Sequence, residues 1–265
     1  MNFFKNRVVY IILSALFLVS LTTSCSKQKI NLRSMSPEDQ FEYAKKYFDD
    51  EDYLKAKTQF TIVLLNNTGN RITEKAQFYL AETYFKLKEY VLAIAEYQKL
   101  IRSMPQSDYV DDAYYKIGLC YYELAPGYAL DQEYTQKAIA QFEQFLDDYP
   151  TSDLAPEVQE KLDISRKKLA KKEFKAGELY RKMGYYKAAV ISFDAVLKDY
   201  DQLGFSDSAL YWKGECYRKM KDFNEARTAF LELVKSYPDS DWAAKGRQKL
   251  KRIQDEAAKS DESQS

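Results

Sequence analysis

Small and aromatic residues recur along this chain at helical intervals, and the set of intervals itself repeats. A small residue is followed three positions on by an aromatic, then by a second aromatic, by Ala and by a last aromatic. The first two units are Ala44, Tyr47, Tyr53, Ala56, Phe60 and Ala81, Tyr84, Tyr90, Ala93, Tyr97. Gly118, Tyr121, Ala138 and Phe142 follow without the middle aromatic, and then come Gly177, Tyr180, Tyr186, Ala189, Phe193 and Gly214, Tyr217, Phe223, Ala226, Phe230. Steps of three and four keep side chains on one helical face, so each unit is predicted to be two helices. Ala44, Ala81 and Gly118 stand 37 residues apart, as do Gly177 and Gly214. A fixed period of this size means stacked units, none of which can bury its apolar face alone.

The polar punctuation agrees. Pro105, Pro150 and Pro238 close the second helices, because proline has no amide hydrogen and clashes with the preceding turn. Ser107-Asp108, Ser152-Asp153 and Ser240-Asp241 then offer acceptors to the open amides of the next helix, and Ser36 precedes Pro37 as a capping pair. Two interruptions break the period. Ala125 to Gln132 is an eight-residue insertion in the third unit's turn. The stretch between Pro150 and Gly177 is long enough to predict one extended helix over 153–183. The expected fold is all-α: five helical hairpins with an extended fourth first helix and a C-terminal capping helix. Residues 36–152 form the first three units, 153–253 the long helix, units four and five and the cap, and 254–265 a disordered polar tail.

Lys5 and Arg7 precede an apolar run over 8–21, followed by Thr22-Thr23-Ser24-Cys25. Basic, apolar and small segments in that order predict a secretory signal peptide over 1–24, and the run is short beside the roughly 20 residues of a membrane span. Small residues directly before a cysteine resemble the bacterial lipobox, which implies that Cys25 becomes an acylated N-terminus joined to the repeats by a linker over 25–35. Several acyl chains would hold the chain stably on a membrane, where one gives only marginal binding. The alternatives are an uncleaved anchor or a plain signal. Ser26-Lys27-Gln28 lacks an acidic residue, which by resemblance to enterobacterial sorting favours the periplasmic face of the outer membrane.

Chemistry is sparse. The chain has no histidine, the commonest general base and zinc ligand. It has no glycine-rich phosphate loop and no Cys-x-x-Cys, and pairs such as Asp111-Asp112 suit helix ends. No catalytic role, cofactor or metal is expected. Forty basic residues balance 40 acidic ones, which argues against a nucleic-acid partner. Cys120 and Cys216 occupy equivalent positions two units apart. Helices pack about 8 to 10 Å apart, too far over two units for a disulfide, so both are expected to be buried free thiols.

Small, aromatic, Ala, aromatic and Pro in this order resemble the tetratricopeptide repeat, though the units are longer than its usual length and lack its early Trp. In that family the positions three before and four after the small residue tend to face the concave groove. The resemblance thus makes Phe41 and Phe48, Phe78 and Phe85, Tyr115 and Tyr122 candidate peptide-binding residues. In units four and five the later position is Arg181 or Arg218, followed by Lys182 or Lys219. An aromatic-to-basic groove would suit an extended segment with aromatic side chains and a carboxylate. The spacing equally allows these rings to be packing between helices. The arrangement as a whole, with Tyr109 to Gly118 and Leu169 to Gly184 carrying most of the likeness, resembles the BamD-type lipoproteins of outer-membrane β-barrel assembly. That resemblance implies a scaffold binding the barrel-forming subunit and unfolded outer-membrane proteins. A different periplasmic tetratricopeptide lipoprotein, serving envelope or peptidoglycan machinery, would show the same repeats and anchor.

Overall fold

The computed structural model describes residues 34–69, 71–201 and 203–262, with side chains as far as 253. The leader, Cys25 and most of the linker lie outside the described residues. Among those described there are eleven helices and no strand: α1 Pro37–Asp49, α2 Tyr53–Asn66, α3 Ile72–Lys86, α4 Tyr90–Ser103, α5 Val110–Leu124, α6 Glu133–Asp148, α7 Ala155–Lys182, α8 Tyr186–Asp199, α9 Ser206–Lys219, α10 Phe223–Ser236 and α11 Asp241–Glu262. Each helix packs on the next, giving five hairpins and a final helix. First helices of neighbouring hairpins also meet directly, α1 with α3, α7 with α9 and α9 with α11. Helices are closest on the inside of a curved stack, so these make the inner wall. The architecture is that of a tetratricopeptide-repeat solenoid.

The small residue of each unit lets the two helices of a hairpin approach. A Cβ built on Gly118 would stand 2.4 Å from the Phe142 ring, on Gly177 2.6 Å from Phe193, and on Gly214 2.8 Å from Phe230. Those rings are fully buried and have no room to retreat. The aromatic three positions before the small residue then packs on the same ring. Centroid separations are 5.8 Å for Phe41–Phe60, 5.9 Å for Phe78–Tyr97, 6.2 Å for Tyr115–Phe142, 5.7 Å for Phe174–Phe193 and 5.8 Å for Tyr211–Phe230. The repeating core is this triplet of small residue and two rings.

The hairpin turns repeat as well. The amide of Lys88 bonds the Phe85 carbonyl at 2.9 Å, and that of Glu89 bonds Tyr84 at 2.9 Å. This is the Schellman closure, which satisfies the last carbonyls of a helix and requires a left-handed residue. Glu51, Lys88, Gly184 and Lys221 occupy that place in units one, two, four and five, with φ of 59°, 61°, 82° and 65°. Only Gly184 has the residue type that adopts this conformation without cost.

Helix entrances use the expected serines. Ser36 Oγ accepts from Asp39 N at 3.1 Å with Pro37 in the first turn. Ser107, Ser152 and Ser240 accept from the amides of Tyr109, Leu154 and Trp242 at 3.3, 3.3 and 3.1 Å. The Ser152 hydroxyl also donates to Asp111 at 3.0 Å, and that of Ser240 to Asp207 at 2.5 Å, tying each new first helix to the first helix of the unit before it. The long helix starts at Ala155 rather than 153. The backbone of α11 runs to Glu262, past the expected disordered boundary at 254, because Asp255-Glu-Ala-Ala-Lys259 is a run of mostly good helix formers.

Candidate peptide-binding face

The groove candidates divide according to their place along each first helix. Phe41, Phe78 and Tyr115 are core residues, 6%, 8% and 3% exposed. Their expected role on the groove surface is therefore corrected: the second helix of the hairpin lies over them, and the Tyr115 hydroxyl is taken by Glu157 at 2.5 Å. Phe48, Phe85 and Tyr122 stand in the last turns of their helices, where the hairpin opens, and are half-buried. Arg181 and Arg218, at the same place in units four and five, are half-buried too, while Lys182 and Lys219 are exposed.

None of the half-buried five stands free; four lean on a later helix, and Arg218 is held within its own. Phe48 meets Tyr79 edge-on at 5.4 Å, with Lys45 over both rings. Phe85 lies under Lys116 at 5.4 Å. The ammonium groups of Lys161 and Lys168 of α7 stand 5.5 and 5.8 Å from the centre of the Tyr122 ring. The Arg181 guanidinium sits 3.9 Å from the Trp212 ring centre. Arg218 bonds Glu215 through Nε at 3.2 Å and Nη2 at 3.3 Å, and Lys249 of α11 reaches the same carboxylate at 3.0 Å. Contacts of a cation with a ring contribute about 0.5–1 kcal/mol when exposed and about 2 when desolvated.

The partners at Tyr79, Lys116 and Trp212 went unnoticed in the sequence although they share a signal. Each stands two residues before the small position of its unit, Ala81, Gly118 or Gly214. One helical register thus supplies the partner at three of the joints, while the long helix meets Tyr122 from outside that register through Lys161 and Lys168. Charges beneath the face are mostly matched. Glu82, almost fully buried, accepts from the Tyr97 hydroxyl and from Lys116, 2.8 Å away. Burial weighs against the Glu215 carboxylate ionising, but hydrogen bonds from Arg218 and Lys249 outweigh it and hold its pKa below the usual range.

Cys120 and Cys216 are buried and free, as expected, and burial pushes both thiols up to about 12. They stay protonated at neutral pH and are poor nucleophiles. Among the described residues no cluster of His, Cys, Asp and Glu could hold a metal, and no helix is long and apolar enough to cross a membrane.

Residues 33–229, from just before α1 into α10, match the YfiO family, described as outer membrane lipoprotein. The outer membrane protein assembly factor BamD of Rickettsia prowazekii is 29% identical over 194 residues, covering 73% of this chain and 77% of that protein. BamD of Caulobacter vibrioides is 27% identical over 58% of this chain and 50% of its own length. A putative BamD from Aquifex aeolicus is 27% identical over 85% of this chain and 78% of that protein. Among solved structures, the TPR2AB domain of yeast Sti1 covers 84% of this chain and 86% of its own at 14% identity, TM-score 0.44. The P58(IPK) TPR domain covers 83% and 56% at 19% identity, TM-score 0.41.

Proposed function

The chain belongs to the YfiO family of outer membrane lipoproteins, and from that membership we propose that it is a lipid-anchored, periplasm-facing scaffold of outer-membrane protein assembly. In this role it docks on the barrel-forming subunit of the assembly complex and receives unfolded outer-membrane protein chains. The relatives' name, outer membrane protein assembly factor, supports the reading. The observation that carries it is the series of contacts between successive units, which changes from ring on ring at Phe48–Tyr79 through lysine on ring to arginine on ring at Arg181–Trp212. Because the half-buried groups are already held by their neighbours, an extended segment meets a preorganised surface and binding loses less to side-chain ordering. Aromatic side chains of the segment lie along the first three units and its acidic groups along the last two.

The test has two arms. Co-purification from crosslinked membranes is expected to recover the barrel-forming subunit, and recovery of peptidoglycan machinery in its place overturns the assignment in favour of another envelope scaffold. Fluorescence anisotropy of a labelled peptide ending in Phe is expected to show saturable binding that Phe85→Ala weakens. The anchor is checked by Cys25→Ala, which should move the protein from the membrane to the soluble fraction.

A further inference from the structure

We propose that Arg181, held against Trp212, is the group of this face that binds a carboxylate. The inference rests on the groove reading above and narrows it to one residue. Arg181 and Arg218 hold the same register position, yet only one of them has its charge uncommitted. The Arg218 guanidinium is bound side-on to Glu215, a carboxylate already shared with Lys249. Arg181 has no acidic partner among the described residues. Its guanidinium carbon lies over the Trp212 ring, 3.9 Å from the ring centre, and its Nε is buried with no acceptor in reach. Buried donors without a partner are uncommon in folded proteins, and an arginine held against a ring through its guanidinium keeps its two terminal Nη groups as a pre-placed fork, the geometry that a carboxylate accepts through two oxygens.

The support behind Arg181 is built from the last unit and the cap. Trp212 meets Trp242 of α11 at 5.6 Å, Tyr211 lies 4.8 Å from Trp242, and Lys245 stands 4.0 Å above the Trp242 ring. Cation, indole, indole and cation therefore follow one another across α7, α9 and α11. Lys245 is exposed and has no acidic partner among the described residues, so the two ends of the indole pair are positive and unneutralised. A carboxylate held at Arg181 places an adjoining flat side chain over the indole edges. The acid is either the terminal carboxylate of an extended segment or an internal Asp or Glu next to an aromatic residue.

The two tryptophans of the chain, Trp212 and Trp242, both lie in this cluster, so intrinsic tryptophan fluorescence of the full chain reports on it directly. The probes are a tryptophan-free labelled peptide ending in Phe with a free carboxylate, its C-terminal amide, and an amide carrying an internal Asp beside Phe. The expected result is a tryptophan response that saturates together with the anisotropy change. Arg181→Gln should weaken the acid-bearing probe by about tenfold or more, with the plain amide unchanged and Arg218→Gln far less harmful. Arg181→Lys, which keeps the charge and loses the fork, should recover only part of the affinity. A preference for the free terminus over internal Asp names the terminal carboxylate as ligand, and the reverse names the side chain. Equal losses for acid and amide, or a larger effect at Arg218, overturn the assignment. So does an anisotropy change with no tryptophan response, which leaves the groove reading standing. Absence of binding by any probe removes the groove reading and this inference together. Circular dichroism of each variant separates loss of binding from loss of fold.

Discussion

The Lys168 ammonium lies 3.2 Å from the carbonyl oxygen of Pro126, which joins the extended helix of unit four to the inserted turn of unit three. Lys168 also reaches the Ala125 carbonyl at 3.4 Å, Lys172 reaches that of Leu130 at 3.2 Å, and Lys171 stands 4.6 Å from the Tyr128 ring. The third unit is the one without a left-handed turn residue, so its insertion lacks the closure the others share. The added length of α7 provides the missing donors. Two departures from the period are one structural feature.

Removing that clamp should loosen the insertion and little else. Lys168→Ala is expected to speed amide exchange across residues 125–132, read at the Leu130 amide that bonds Gly127 at 3.0 Å, while exchange in α3 and α4 stays unchanged. Unaltered exchange at Leu130 would show that Gln132, whose side chain also bonds the loop carbonyls, holds it unaided.

The turn residues give a paired test. Lys88 occupies the left-handed region at φ 61°, a conformation costing an ordinary residue roughly 1–2 kcal/mol. Lys88→Gly should therefore stabilise by about 1 kcal/mol, part of the gain being offset by glycine's greater freedom in the unfolded chain. Gly184→Ala should destabilise by a similar amount, since an added methyl meets nothing within 4 Å and the backbone alone is strained. Urea midpoints of the two variants moving in the same direction would refute the turn argument.

Core and face separate by truncation. Phe78→Ala removes a ring packed on Tyr97 and stacked on Tyr109 at 4.8 Å, with an expected loss of about 3–5 kcal/mol. Phe85→Ala should cost clearly less and act mainly on peptide affinity. Comparable thermal destabilisation by the two would place Phe85 in the core as well.

Asp112 gives the array a pH dependence. Burial, and then repulsion from Asp111, raise its pKa above the usual carboxylate range, while Lys116 opposes the shift. The folded state thus holds this proton more tightly than the unfolded one. The stability it brings is complete below the ordinary carboxylate value and is lost as pH rises through the raised value. Asp112→Asn should consequently stabilise the protein at neutral pH, with the gain shrinking in acid. Denaturation midpoints that shift equally at both would remove Asp112 as the cause.

The repeat of small residue, ring and proline was sufficient, by itself, to determine the hairpins, their number and the serine entrances, because these depend on spacing along one helix and on local backbone chemistry. The free, buried state of Cys120 and Cys216 followed from the same register. What the spacing left open was which member of each aromatic pair faces the groove. Phe41 and Phe48, like Phe78 and Phe85, are seven residues apart, and positions seven apart project within about 20° of each other around a helix. Periodicity assigns both to one face and cannot rank them. Their depth is set by how far the second helix extends over the first, and the outer member by contact with the following repeat. The commitment of Arg218 to Glu215, the openness of Arg181 on Trp212 and the lysine clamp on the insertion are likewise contacts between units. They arise only when the hairpins stack, because side chains distant in sequence then share one local environment.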